Sequence, residues 1–290
     1  MSNDGAVSIE KDKDSSQISQ SIYRFRDQKL IERFVRCSQL LKIIEGATEL
    51  FIKRYRNSKK PEDALGALFV PLHFEYIHFI HNNANELLHQ IIEEPLQFLN
   101  AAKYCVYGIV RDQIKLSGNT VESNALKSID IDQLHIQLRF IGLPLQEDLH
   151  FAHYKNCWPP GLSWTTGILS AISEPQWAIL QSTWFCSTGC NRNKIKSDSI
   201  DAPICNSCGQ HMNEYAKLRV TEKYHFLRLL PTSCIENPRV VNKIFRALTV
   251  HCKEHVHDCE LRLGTSYFII GYYDYTRAGQ IFQAWSVIIR

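Results

Sequence analysis

The chain has 290 residues, of which 44% are hydrophobic and 22% are charged, with ten cysteines and a formal net charge of +3. This length allows two ordinary domains or one large domain with an insertion, and the composition is that of a globular protein. The sequence contains no run of eighteen apolar residues that would span a bilayer, and a charge of +3 is too small to indicate a nucleic-acid binder by itself.

Residues 1–20 are polar and rich in Ser, Asp and Lys, which predicts a disordered tail. Charged residues stand where a secretory signal would need an apolar stretch, so nothing directs the chain to an oxidising compartment. The cysteines are therefore expected to be thiols or metal ligands rather than disulfides.

Residues 21–118 are predicted to form a helical subdomain. Across residues 28–55 apolar side chains recur every three or four positions, which is the pattern of one or two amphipathic helices. Residues 65–80 mix aromatic and aliphatic side chains and favour a short strand near their start. An asparagine-rich cap then precedes another helix, and Pro95 begins the next one, so the whole segment predicts a small helical bundle.

Residues 116–128 contain the Ser, Asn and Gly that are expected of a linker, which is placed at 119–129, and the patterns over 130–290 become strand-like. About six predicted strands surround a cysteine-rich stretch at about 184–212, which indicates an insertion in a β-barrel. A five-stranded barrel of this size is most often an OB-fold, and OB-folds commonly bind nucleic acid. The predicted fold class is α+β: an N-terminal helical bundle followed by an OB-fold β-barrel with an inserted four-cysteine zinc ribbon.

Two pairs of closely spaced cysteines are separated by fourteen residues: Cys186 and Cys190, then Cys205 and Cys208. Four thiolates give Zn(II) a closed tetrahedral shell, which leaves no open position for water and predicts a structural role. Gly189 and Gly209 stand where such turns favour a residue without Cβ. The first pair is one residue wider than the commonest spacing, and the alternative interpretation is four unrelated buried thiols.

A second group of possible metal ligands, HCKEHVHDC, runs from His251 to Cys259. It could hold a metal, but its spacing matches no known ligand pattern, so it is interpreted as a polar loop between two strands. Four further cysteines stand alone and are interpreted as small buried hydrophobic residues: Cys37, Cys105, Cys157 and Cys234.

Sequence motifs of the common enzyme classes are missing. The chain has no G-x-x-x-x-G-K-[ST] phosphate loop, no G-x-G-x-x-G, no H-E-x-x-H and no G-x-S-x-G. A catalytic triad is recognised by geometry and not by spacing, so one sequence does not decide it. Since no titratable pair stands in a recognisable catalytic setting, we expect a binding or scaffolding protein and no enzyme.

The order of these features resembles the N-terminal domain of minichromosome maintenance (MCM) proteins. The segment HFEYIHFIHNNANELLHQIIEEPLQFL is similar to the part of that family in which a short strand precedes a helix and a proline begins the next. WFCSTGC and ICNSCG match the family's zinc pairs. LRLGTSYFIIGYYDY resembles its stretch with two glycines, here Gly264 and Gly271.

The sequence also departs from that family, because Thr221 stands at the family's Gln, Thr265 stands at its Asp, and the zinc spacing is wider. This drift looks most like the meiotic MCM-like (mei-MCM) proteins, in the form split between two polypeptides whose N-terminal half has no AAA+ domain. The resemblance implies a non-catalytic nuclear subunit that promotes meiotic crossover formation and opposes a Bloom-type anti-crossover helicase. It implies as partners a separate chain with the AAA+ (ATPase-like) half and other MCM-like subunits.

In the MCM family the strands after the second glycine carry a β-hairpin that contacts DNA, and the resemblance places Arg277 near the tip of that hairpin here. Its aromatic residues either face DNA bases or fill the barrel core: Tyr272, Tyr273, Tyr275 and Trp285. The other candidates for DNA phosphate contacts are Arg219, Arg239, Lys243 and Arg246. These cations could equally form a solvated strand edge.

The alternative function is an autonomous zinc-ribbon OB-fold protein that binds single-stranded nucleic acid in replication or RNA metabolism. Purified alone, such a protein should bind oligonucleotides with a clear salt dependence. An MCM-like subunit should instead bind weakly alone and expose an apolar surface that needs its partner.

Overall fold

The computed structural model describes residues 29–36, 38–58, 64–117, 129–145, 161–188, 190, 193–197, 199–232, 247–274 and 281–290. Within these ranges a helical subdomain packs against a closed β-barrel, and a small ribbon extends from the barrel. The predicted tail and residues 119–128 of the predicted linker lie outside the described residues. None of the described helices is long and apolar enough to cross a membrane.

The helices of the N-terminal region are α1 (residues 29–36), α2 (Leu40–Ser58), α3 (Tyr76–His81), α4 (Asn85–Glu93) and α5 (Pro95–Ser117). The helical pattern over 28–55 is thus confirmed, as two helices. Pro95 begins α5 as predicted, because a first helical position needs no N–H donor and suits the fixed φ of proline. The apolar faces of α1, α2, α4 and α5 enclose one hydrophobic core.

A two-stranded parallel sheet lies between the helices and the barrel. Its strands are β1 (Leu68–Glu75) and β2 (Leu134–Ile141), which pair over their full length. Buried and exposed side chains alternate along β1, as the two-residue period of a strand requires. The short strand predicted in 65–80 is therefore confirmed. The sequence pattern groups the segment of β2 with the barrel strands, but it pairs with β1.

The remaining strands are β3 (Leu162–Ile172), β4 (Gln176–Phe185), β5 (Asn193–Ser197), β6 (Asn213–Glu214), β7 (Val220–Leu230), β8 (Leu248–Lys253), β9 (Ser266–Asp274) and β10 (Ile281–Ile289). The barrel follows the order β3-β9-β10-β8-β7, and β7 pairs back with β3 to close it. Strands β8 and β10 are parallel, and the other barrel neighbours are antiparallel. Numbered in chain order, the five barrel strands run 1-2-3-5-4, which confirms the predicted closed barrel of OB type.

The barrel and the helical subdomain are joined by polar and aromatic contacts. Gln181 of β4 is fully buried, and its Nε2 donates a hydrogen bond of 2.8 Å to the carbonyl oxygen of Leu65. Trp285 of β10 stacks on Phe140 of β2 with ring centroids 5.4 Å apart. Arg139 of β2 forms an ion pair with Asp258, which follows β8. These contacts fix the barrel, and with it the candidate site, relative to the helices.

Candidate metal centre and nucleic-acid interface

The cysteine-rich ribbon grows out of β4, which continues beyond the barrel and pairs with β5 and β6. Trp184 at the end of β4 and Met212 before β6 are buried beside the cysteines. The Sγ atoms of Cys186, Cys190, Cys205 and Cys208 all lie within 4.8 Å of one another. The four predicted ligands are therefore gathered at one point between the first and second barrel strands.

Tight turns direct backbone N–H groups at the sulfurs. The N–H groups of Thr188 and Gln210 donate to the sulfurs of Cys186 and Cys208, and both hydrogen bonds lower the pKa of the thiol. In the second turn Gly209, with φ of +70°, donates its N–H to the Cys205 carbonyl oxygen at 2.9 Å. A left-handed φ favours glycine, as predicted for Gly209. Gly189 lies outside the described residues.

The hydroxyl of Thr188 lies among three of the sulfurs. Its Oγ1 is 2.9 Å from the Sγ of Cys186, 3.1 Å from that of Cys208 and 3.6 Å from that of Cys190. The hydrogen bond from this hydroxyl is the main cause that lowers the pKa of Cys208 to about 6. The same hydroxyl lowers the pKa of Cys190. Three other effects raise that pKa and outweigh the hydroxyl: the hydrogen bond with Cys208, burial, and the interaction with Cys186. The pKa of Cys190 is therefore raised to about 11. No sequence pattern indicates Thr188, because its role depends on the folded turn.

The donor set fits a structural metal ion. A ligand group of four cysteine sulfurs, with no carboxylate or imidazole in it, is the chemistry of tetrahedral Zn(II) or of an iron–sulfur centre. The four cysteines would hold the ion, and the ion would cross-link the two turns of the ribbon. A shell closed by four protein ligands leaves no site for substrate, so the arrangement supports folding rather than catalysis. That the metal is zinc remains a prediction.

Replacing Thr188 by valine should weaken metal binding about 10- to 100-fold, since hydrogen-bond donors behind a metal ligand typically contribute that much to affinity. Valine keeps the shape of the side chain and removes only the hydroxyl donor. The affinity is measured by competition with a chromophoric chelator. The control is Thr221→Val, because Thr221 is an exposed residue of β7. Equal affinities in Thr188→Val and wild type would contradict a role for this hydroxyl.

The second group of possible ligands, from His251 to Cys259, does not assemble. Cys252 is buried in the barrel core, whereas His257 shares a hydrogen bond of 2.9 Å with the carbonyl oxygen of Cys259. His255 is bonded to Glu222 of β7. Of the residues that the structure describes, only the four ribbon cysteines form a group of three or more possible ligands. The predicted polar loop is wrong for the first three residues of the segment, because residues 251–253 belong to β8 and Cys252 is fully buried; the chain leaves the strand only at Glu254, in a short 3-10 turn.

The side chain of Glu222 should make the free energy of unfolding depend on pH. Its side chain is 9% exposed, and burial raises its pKa, but the bond with His255 and the charge of Lys253, 2.9 Å away, lower the pKa to about 2. A carboxylate with a depressed pKa contributes stability above its unfolded value near 4.5, and this contribution is lost as the pH falls towards 2.

Glu222→Gln should therefore reduce the free energy of unfolding by roughly 3 kcal/mol at pH 7, and the deficit should shrink below pH 4.5. Urea unfolding at neutral and acidic pH measures it. The exposed Glu254→Gln serves as the control and should show almost no deficit. A deficit for Glu222→Gln that is the same at both pH values would contradict the assignment.

Of the five cationic residues predicted to contact DNA, the structure describes one. Arg219 lies just before β7, and its Nε donates to Glu214 Oε1 at 2.7 Å while its Nη2 bonds the other carboxylate oxygen. This pair raises the pKa of Arg219 and lowers that of Glu214. The charge of Arg219 is thus matched within the protein, and its phosphate contact remains a prediction. The candidates outside the described residues are Arg239, Lys243, Arg246 and Arg277.

For the described aromatic residues of the predicted hairpin, the core interpretation is confirmed. Tyr273 is buried in the barrel core with its ring centroid 5.4 Å from that of Phe282. Tyr272 packs edge-on against Trp285, and both lie against the core that the helices enclose. Tyr275 lies outside the described residues. The aromatic residues of β9 and β10 therefore hold the fold together.

A different aromatic group lies on the outside of the barrel. We call it the outer aromatic face: Tyr224 and Phe226 of β7, which are partly exposed, together with His251 of β8, which is buried against their rings. The sequence patterns predict a strand here but do not single out these residues. Because Leu227 and Leu229 point into the barrel core, the two-residue period turns Tyr224 and Phe226 outwards. These strands are the second and third of the barrel. In OB-folds, the outer face of the corresponding two strands commonly binds the ligand.

No family model matches the sequence, and a comparison with curated proteins finds no match. Among solved structures, the chain is similar to the N-terminal domain of an archaeal MCM, with a TM-score of 0.59 and 13% sequence identity. The similarity covers 92% of this chain and 99% of that domain. At this identity the likeness concerns the fold alone. The helices, the OB-type barrel and the four-cysteine ribbon together form a fold like that of an MCM N-terminal domain.

Proposed function

We propose that this chain is a non-catalytic MCM-like subunit that binds DNA through its barrel. The observation that carries the proposal is a closed OB-type barrel with a four-cysteine ribbon between its first and second strands. That architecture is similar over almost the whole chain to an archaeal MCM N-terminal domain. OB-type barrels commonly bind nucleic acid, so the fold fits this role. ATP hydrolysis by the purified chain alone would contradict the non-catalytic part.

The finer part of the proposal concerns meiosis. The chain acts in the nucleus, promotes crossover formation and opposes a Bloom-type helicase, together with a separate AAA+ chain and other MCM-like subunits. The resemblance of its sequence to the mei-MCM proteins supports this assignment. Apolar side chains exposed on and beside the ribbon, Phe185, Ile200 and Ile204, support a protein contact there, with Ile200 74% exposed.

The experiment is affinity purification of the tagged chain from meiotic tissue, with identification of what co-purifies in stoichiometric amount. Recovery of a chain with an AAA+ or degenerate ATPase domain supports the subunit. A parallel salt titration of oligonucleotide binding tests DNA contact, because each phosphate neutralised steepens the salt dependence. The proposal would be contradicted if the tagged chain co-purified with no ATPase-like chain and the purified chain bound no DNA.

The outer aromatic face favours a second candidate, an autonomous zinc-ribbon OB-fold protein that binds single-stranded nucleic acid in replication or RNA metabolism. Such a protein would carry its own binding surface and need no second chain. Recovery of nucleic acid without an AAA+ chain, combined with tight salt-dependent binding by the purified chain, would favour this candidate.

A further inference from the structure

We propose that metal binding by the ribbon stabilises the packing of the helical subdomain against the barrel, and that β4 carries this coupling. One end of β4 pairs with the barrel strand β7, and the other end pairs with the ribbon strand β5. Gln181 lies where the two pairings meet, with Val220 of β7 on one side and Ser197 of β5 on the other. Its backbone therefore belongs to the barrel and to the ribbon at once. The coupling does not require the DNA role proposed above.

The side chain of Gln181 joins the same point to the helical subdomain. Its Nε2 donates to the carbonyl oxygen of Leu65 at 2.8 Å, and its Oε1 lies 3.3 Å from Nε2 of His135 in β2. The carbonyl oxygens on either side of Leu65 accept hydrogen bonds of 2.6 and 3.0 Å from Nε2 of Gln133. We call this group the amide junction: Gln133 and Gln181 with the carbonyl oxygens of residues 64–66. Both glutamines are buried, so a hydrogen bond lost here leaves a buried polar atom without a partner.

The residues of β4 that follow Gln181 belong to the ribbon. The hydroxyl of Ser182 accepts a hydrogen bond of 2.8 Å from Nε1 of Trp184 and donates one of 3.0 Å to the carbonyl oxygen of Ser199, just after β5. The side chain of Trp184 is buried beside the four ribbon cysteines. Residues 181–184 are all at most 5% exposed, so both faces of β4 are covered here. By the two-residue period of a strand, one face packs in the ribbon and the other contacts the helical subdomain.

Opening of the ribbon loosens the amide junction through these contacts. The ribbon core contains few large side chains, so the ribbon opens when its cysteines release their metal. As β5 then leaves β4, Ser182 loses the Ser199 carbonyl, and the end of β4 is covered on one face only. The side chain of Gln181 gains freedom to turn away from Leu65. Linkage is reciprocal, so loosening the junction weakens metal binding by the same factor, which for coupled sites is typically about 5- to 150-fold.

Amide hydrogen exchange of the full chain, loaded with zinc and then treated with a chelator, tests the coupling by mass spectrometry. We expect exchange in residues 64–70 to become about fivefold faster or more when the metal is removed. Exchange in Ile281–Ile289 should stay unchanged, because this strand contacts the helical subdomain through the stacking of Trp285 on Phe140, away from the ribbon. Equal exchange of residues 64–70 with and without the metal would overturn the proposal.

The reciprocal measurement is the zinc affinity of the full chain, determined by competition with a chromophoric chelator. Gln181→Met keeps the length of the side chain and removes its amide, and it should weaken zinc binding about fivefold or more. A chain that binds no zinc at all would overturn both this coupling and the zinc assignment.

The matched control is Thr48→Val, which removes a buried hydrogen bond of 2.7 Å from Thr48 Oγ1 to the Ile44 carbonyl oxygen within α2. This variant destabilises the helical subdomain without touching the amide junction, so it should bind zinc like wild type. Thermal melting checks the folding of both variants, and the exchange measurement on wild type decides the matter if Gln181→Met does not fold. A zinc affinity of Gln181→Met equal to that of wild type would overturn the coupling. An equal loss of affinity in both variants would do the same, because it would reflect general destabilisation.

Discussion

Replacing Cys205 and Cys208 together by serine is expected to unfold the ribbon while the barrel stays folded. The ribbon has its own small core, in which Trp184 and Met212 are the only large apolar side chains among the described residues, beside the four cysteines. This core is separate from that of the barrel. A structural zinc ion contributes on the order of 10 kcal/mol to the folding of its module, which two apolar side chains do not replace.

Three measurements check this expectation. Metal content is determined by release to a chromophoric chelator, and ribbon opening is determined by limited proteolysis between Phe185 and Asn213. Burial of Trp184, one of five tryptophans, is followed as the part of the fluorescence that disappears in a Trp184→Phe version of each protein. Removing the metal from wild type with a chelator should produce the same changes. The control is Cys259→Ser, which removes a thiol from the second histidine- and cysteine-rich segment. Unchanged proteolysis and an unchanged melting profile in the double variant would contradict a structural metal.

Local sequence patterns predicted those features of the fold that depend on residues close together in the sequence. The spacing of the cysteines predicted their gathering, because each pair closes within a single turn. The three- and four-residue recurrence predicted α1 and α2, and Pro95 predicted the start of α5. In each case the cause lies within a few positions of its effect, so one sequence is sufficient.

Strand partners were harder to predict. The alternation in β2 shows that Leu134, Leu138 and Phe140 share buried environments, but alternation does not say which strand lies alongside. β1 lies more than fifty positions earlier in the sequence, across α5, and no pattern within β2 points to it. The same limit applies to the closure of the barrel between β3 and β7, which required the structure.

The candidate site shows the same division. The positive charge of Arg219 led to the prediction that it contacts phosphate. In the structure Arg219 is paired with Glu214 across a short 3-10 turn. The outer aromatic face was within reach of the sequence, because the leucines at 227 and 229 indicate which side of β7 is buried. Taking Tyr224 and Phe226 as the opposite side requires only the two-residue period of a strand. Their contact with His251 required the register of β8.

Gly271→Ala is expected to destabilise the whole barrel by about 3 kcal/mol. Gly271 is an interior residue of β9, paired with Ser163 of β3 on one side and with Ala284 of β10 on the other. A Cβ at this position would fall far inside van der Waals contact with the carbonyl oxygen of Gln283 and would lie 2.8 Å from a ring carbon of Phe282. The register shift in β10 directly after Ala284 brings the two backbones this close.

Neither neighbour can move away easily. Gln283 is held on its far side by its pairing with His251 of β8, and Phe282 is fully buried in the barrel core. The matched control is Gly46→Ala in α2, where a Cβ would meet nothing within 4 Å. That change should stabilise by about 0.5–1 kcal/mol, because alanine is the better helix former. Urea unfolding of both variants should give shifts of opposite sign, and equal stability of Gly271→Ala and wild type would mean that β10 can shift away from β9 at no cost.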